Sequence, residues 1–127
     1  MLTNETMAPR ALAFLLSEAN GNRSRAVATI ASGAGVLDAG TVLGKIAASG
    51  KFTASPAAET AGIEGAEVAL AILAYGVDAT GADVDVTVVD RDAVVKAACL
   101  IHDASVDDTT RIAAKAAELD AVGIRVR

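Results

Sequence analysis

At 127 residues the chain suits one domain, and a domain of this size buries roughly two-thirds of its unfolded surface. It is 53% hydrophobic but only 2% aromatic, so Ala and Val must fill the core and flat rings for stacking bases or sugars are scarce. Eleven Lys and Arg against sixteen Asp and Glu give a formal net charge of −5. The cations stand singly apart from Arg23/Arg25 and Arg125/Arg127, which argues against the concentrated positive field that nucleic-acid binding requires.

In chain order, residues 1–25 read as a leader or arm that gains order against something else. Pro9 and the Asn20-Gly21 turn punctuate it, and its apolar run ALAFLL (Ala11–Leu16) is too short to fold alone. That run resembles a signal-peptide core, but Ser17-Glu18 closes it without a small-x-small cleavage site, so synthesis in a cytoplasm is expected. AVATIA is a strand ended by Ser32-Gly33. VLDAGTVLGKIAASGKFTA holds short apolar runs separated by turns at Asp38-Ala39-Gly40 and Ser49-Gly50. Ser55–Glu67 reads as a loop rich in Ala, Gly and Glu. EVALAILAYGV (Glu67–Val77) is apolar throughout, short and bounded by turn residues, which predicts one buried strand followed by a turn over Asp78–Asp83. In VDVTVVD, Val84, Val86 and Val88 alternate with Asp85 and Thr87, the period of a half-buried strand. AVVKAACLI is ambiguous, since Ala and Lys favour helix while Val and Ile favour strand. A helix is signalled over Asp107–Gly123 by acidic residues at its start and Gly123 after its end. Ile112, Ala116, Leu119 and Val122 would share its apolar face. IRVR closes the chain as a short strand. The sum is a mainly β fold with one C-terminal helix: an arm over residues 1–25 and a β-rich domain over 26–127.

Four constellations invite chemistry. Gly33, Gly35, Gly40 and Gly44 suggest a phosphate cradle, but Asp38 stands where a dinucleotide fingerprint needs its third glycine, and Ile46 follows Lys45 where a P-loop needs Ser or Thr. Lys45 also suggests a biotinyl- or lipoyl-type carrier, an alternative function, although its apolar neighbours place it within a strand facing solvent. Cys99, His102 and Asp103 suggest a nucleophile, base and orienter. On a strand, however, positions three apart face opposite ways, which leaves His102 at a solvated strand end. Asp78, Asp83, Asp85, Asp90 and Asp92 suggest calcium, yet Asp78–Asp83 carries alanine and a misplaced glycine where an EF-hand loop needs ligands. No catalytic residue, metal site or cofactor is expected, and no membrane span, because no run approaches ~20 apolar residues. The single cysteine, Cys99, excludes an intrachain disulfide.

The segments SEANGNRSR, AGTVLGKIAASGKF, AILAYGVDATGADV and DAVVKAACLI, followed by the helix and GIRVR, resemble in order and spacing the head decoration proteins of lambda-type bacteriophages. The resemblance, to the capsid-stabilising protein D family, runs from about Leu15 to Arg127. It implies a small β-clip-like fold and a non-enzymatic virion protein. Members form homotrimers on the outside of the expanded head, where they cement the major capsid protein against the pressure of packaged DNA. In the family the N-terminal arm becomes ordered on the capsid, so Arg10, Phe14, Leu15, Leu16, Ser17, Glu18, Asn20, Arg23 and Arg25 are the expected capsid-contact residues. The alternative for the apolar ones is packing on their own domain. The Ser55–Glu67 loop is longer, and the arm more apolar, than the resemblance implies.

Overall fold

The computed structural model describes residues 9–127. Ten strands and one α-helix follow in order: β1 (Leu15–Glu18), β2 (Arg25–Ile30), β3 (Gly35–Leu37), β4 (Val42–Lys45), β5 (Phe52–Ala54), β6 (Ala69–Leu73), β7 (Val77–Ala79), β8 (Val84–Val89), β9 (Ala93–Val95), α1 (Thr109–Ala121) and β10 (Ile124–Val126). The fold is mainly β with one C-terminal helix.

Five strands close into a barrel in the order β2-β5-β4-β6-β8. The long edge is β2 against β8, antiparallel from Arg25 opposite Val89 to Ile30 opposite Val84. Closure comes through one parallel pair, Ile30 with Phe52. Strands β4 and β6, and β8 at Val88–Val89, are buried on both faces, since successive side chains of a strand point to opposite sides and both sides are covered there. Leu43, Ala71, Leu73 and Val88 join Ala28, Ile30, Leu37 and Ala79 in one cluster, the barrel interior. Their neighbours Val42, Ile72 and Val89 enter a second cluster outside the barrel wall. Burial on both sides is why Glu67–Val77 reads as an unbroken apolar run rather than an alternating one.

The second cluster is covered by the sheet β1-β9-β10 and by α1. Here β9 lies in the middle, antiparallel to β1 and parallel to β10. Phe14, Ala93, Val95, Leu119 and Ile124 pack down on Val42, Ile72 and Val89. The ambiguous stretch after Arg91-Asp92 divides: its Val-rich half is β9, and Ala97–Cys99 forms a 3₁₀ turn. The helix starts where its signals place it, with the Asp108 carboxylate accepting from the Arg111 N–H at 2.8 Å.

Three expectations need correction. Glu67–Val77 is not one strand: β6 ends at Leu73, Tyr75 and Gly76 bend the chain, and β7 begins at Val77 to pair with β3. The turn predicted from Asp78 therefore starts only after Ala79. The buried face of α1 carries Lys115 and Leu119, while Ile112 is 41% exposed. The helix is turned so that Lys115 faces the loop Ser55–Glu67. That loop crosses β4 so closely that a Cβ on Gly44 would overlap the Ala66 carbonyl. Gly44 thus serves close approach of backbones, and Gly40, at φ 96°, a left-handed turn whose Cβ would come 2.6 Å from the Cys99 carbonyl oxygen.

Candidate functional site

The segment expected to make contact, from Arg10 to Arg25, is described in full. Arg10 is exposed, and the Ala13 N–H donates to its carbonyl at 3.1 Å. The Leu12 N–H donates to the Ala74 carbonyl at 2.9 Å, and Leu12 itself sits at φ 58°. This bend drives Phe14 inward, where it is 1% exposed among Val42, Ile72, Val95 and Leu119. The Lys96 N–H donates to the Phe14 carbonyl at 2.8 Å. Of the two placements considered for Phe14, packing on its own domain is the one observed, and there the side chain acts as an anchor.

From Leu15 the chain runs as β1 along β9, with an irregularity between Leu15 and Ser17 that turns Leu16 out to 54% exposure. Leu15 packs half-buried against the second core. Ser17, Asn20 and Arg23 are exposed. Glu18 and Arg25 hold each other through two bonds, Nε to Oε2 at 2.9 Å and Nη2 to Oε1 at 2.6 Å. The hydrogen bonds and charge of Arg25 hold the Glu18 carboxyl below its usual range, and Glu18 raises the Arg25 guanidinium in turn. Arg23 reaches Asp92 at 3.6 Å. The predicted set thus separates into an anchor (Phe14), a half-buried support (Leu15, Glu18, Arg25) and an exposed group (Arg10, Leu16, Ser17, Asn20, Arg23). Beside it, Asn22, Arg25, Ala26, Val27, Tyr75 and Thr87 line an open groove of about 410 Å³, in which Val27 is 77% exposed. Sequence reasoning missed Val27, an outward position on β2 like any other, and Tyr75, which stands at the bend between β6 and β7.

The other constellations come apart. Cys99 ends the 3₁₀ turn, and no hydrogen bond among the described residues joins it to His102. His102 is not at a solvated exit: it is half-buried, its Nδ1 has no partner, and burial with the nearby Lys115 charge lowers its pKa. Lys45 is exposed at the end of β4, paired with Phe52, and the hairpin bends beyond it at Ala47–Ser49. Asp78 is occupied by Thr80, Asp83 by Lys51 and the Ser32 N–H, and Asp85 by Thr29. Among the described residues no group of three or more His, Cys, Asp or Glu is arranged to hold a metal ion, and no helix is long and apolar enough to cross a membrane.

One buried polar cluster was not foreseen. Lys115, 2% exposed, donates from Nζ to Ser55 Oγ at 2.9 Å and to the Glu67 carbonyl, and it lies 3.2 Å from Glu118 Oε1. The Ser55 Oγ–H donates in turn to the Ala66 carbonyl at 2.7 Å, and Glu118 Oε1 accepts from the Ala69 N–H. Every donor faces an acceptor, so the cluster clips the Ser55–Glu67 loop to α1; it is a fastener with no open position for a substrate.

No individual curated protein matches the chain. The family model of bacteriophage lambda head decoration protein D matches residues 4–124, which takes in the Arg10–Arg25 segment, the barrel, the covering sheet and the helix. The chain belongs to that family of structural phage proteins, whose role is capsid decoration.

Proposed function

We propose that this chain is a homotrimeric cement protein. Three copies sit together on the outside of the expanded phage head, bind the major capsid protein and brace it against the pressure of packaged DNA. The observation that carries this reading is the family match across residues 4–124, including the Arg10–Arg25 segment.

The surface chemistry supports it. Among the described residues strand β1 lies at the edge of its sheet, with β9 on one side only, which suits its other edge to pairing with a strand from a partner. Leu16 stands out from that strand, with Arg10, Ser17, Asn20 and Arg23 around it. Residues 1–25 would serve as the capsid-binding part and 26–127 as the decoration body, with Phe14 as the joint between them. A net charge of −5 suits a position outside the shell, away from DNA. Three linked contacts per trimer gain affinity because each later one is intramolecular.

Mixing the purified protein with empty expanded heads and imaging them tests the reading. Three-fold protrusions are expected, and bare heads at saturating protein would refute it. A chain lacking residues 1–9 keeps Phe14; it should remain trimeric by light scattering yet attach weakly. Unchanged attachment would move the capsid contact elsewhere on the surface.

A further inference from the structure

Asn20-Gly21 is the single Asn-Gly dipeptide of the chain. It lies at the apex of the turn joining β1 to β2. The base of that turn is clamped. The Ala19 N–H donates to Ser24 Oγ at 2.9 Å, Ser24 Oγ donates to the Asp92 carbonyl at 2.9 Å, and Glu18 and Arg25 are bonded across it. The apex is free. Asn20 and Gly21 are exposed, and neither the Asn20 carboxamide nor the Gly21 N–H is bonded to a described residue. Gly21 sits at φ 67°, with no described residue within 4 Å of where a Cβ would stand.

We propose that Asn20 is a site of spontaneous deamidation in the folded protein. The Gly21 backbone nitrogen attacks Asn20 Cγ, and the new N–C bond closes a five-membered succinimide. The Cγ–Nδ2 bond breaks, and ammonia leaves with the proton from the Gly21 amide. Solvent water then adds across one of the two ring carbonyls, giving aspartate or isoaspartate at position 20. Three features favour the attack: the nitrogen and carbon are neighbours in one chain, no side chain on Gly21 blocks the approach, and no hydrogen bond holds the Gly21 N–H. Asn22 lacks these advantages. Arg23 follows it with a full side chain, and the Asn22 carbonyl is engaged by the Arg25 N–H at 3.2 Å.

The product adds one negative charge to the formal net of −5 at the apex that carries Arg23. Arg23 now reaches Asp92 at 3.6 Å, and a carboxylate three residues before it competes for the same guanidinium. Isoaspartate also inserts a methylene into the main chain where β1 turns into β2. Any effect of this on head attachment rests on the proposed function; the chemistry does not.

The test incubates the full chain and a synthetic peptide spanning Ser17–Arg25 side by side at mildly alkaline pH. Peptide mapping and isoaspartyl methyltransferase labelling report the products. The expected result is loss of the Asn20 amide at a rate close to that of the peptide, with Asn22 intact, and no labelling in Gly21→Ala. An Asn20 that stays intact after the peptide has converted would overturn the proposal. So would conversion that accelerates severalfold in urea, because the reaction would then belong to the unfolded chain. Head attachment plays no part in either readout, so failure here and failure of the cement reading are distinguishable.

Discussion

The two cores of this protein are built differently. The barrel interior is filled by Ala28, Ala71, Ala79 and five larger aliphatics between β-strands that hydrogen-bond into a closed ring. Small side chains suffice there because the wall of the barrel itself excludes water. The outer core has no such wall. It is assembled from distant parts of the chain: Phe14 before β1, Val95 on β9, Leu119 on α1 and Ile124 on β10. One aromatic ring from near one end of the chain and one isoleucine from near the other meet over the barrel. The barrel is therefore the scaffold, and the outer layer is the device that ties both terminal segments to it. The Arg10–Arg25 segment belongs to the second, less enclosed layer.

Phe14→Ala is the sharpest way to break this contrast. Loss of a buried aromatic costs about 3–5 kcal/mol, read from urea unfolding. Amide exchange should rise first in β1 and in the Leu12 bend, with β2 and β8 still protected. Uniform loss of protection would show that the two cores unfold as one. Leu43→Ala, inside the barrel, should cost about 2–5 kcal/mol and affect all strands together.

Lys115→Met keeps the helix volume but leaves Ser55 and the Glu67 carbonyl without their donor, at about 1–3 kcal/mol. Protease cleavage within residues 57–64 should then quicken while the barrel stays intact. Acidification probes the same junction. The folded-state pKa of His102 is depressed below its ordinary value of 6.5 by burial and by Lys115, so below that pH the unfolded chain binds the proton more readily. Stability should fall as pH drops from about 6.5, and His102→Gln should flatten that slope. Further acidification acts on Glu18, whose lowered pKa gives stability above its ordinary 4.5 that is lost as pH falls through the folded value. The smallest effect is expected from Glu18→Gln, about 1 kcal/mol or less for a part-exposed pair.

Much of the scaffold is legible in the residues themselves. The alternation of Val84, Val86 and Val88 marks β8, all three lining the barrel cluster. Asp108 and Gly123 bracket the helix with the chemistry its two ends require. The Arg10–Arg25 segment is recognisable as a stretch of chain but not in its orientation. ALAFLL carries no period that separates a buried Phe14 from an outward Leu16; the Leu12 bend and the irregularity in β1 make that separation.

What the sequence determines by itself is local: which stretches prefer extended or helical backbone, where turns fall, and that aromatic-poor strands must share a compact interior. The order and spacing of those stretches also carry the family. Tertiary structure alone decides that five strands close into a ring, that β6 stops at Leu73, and that Lys115 is buried. Each depends on a partner far along the chain. A lysine on a helix reads as solvent-facing until a serine sixty residues away and a backbone carbonyl meet its ammonium. Periodicity reports how a segment divides its own two faces; it holds no information about what arrives to cover them.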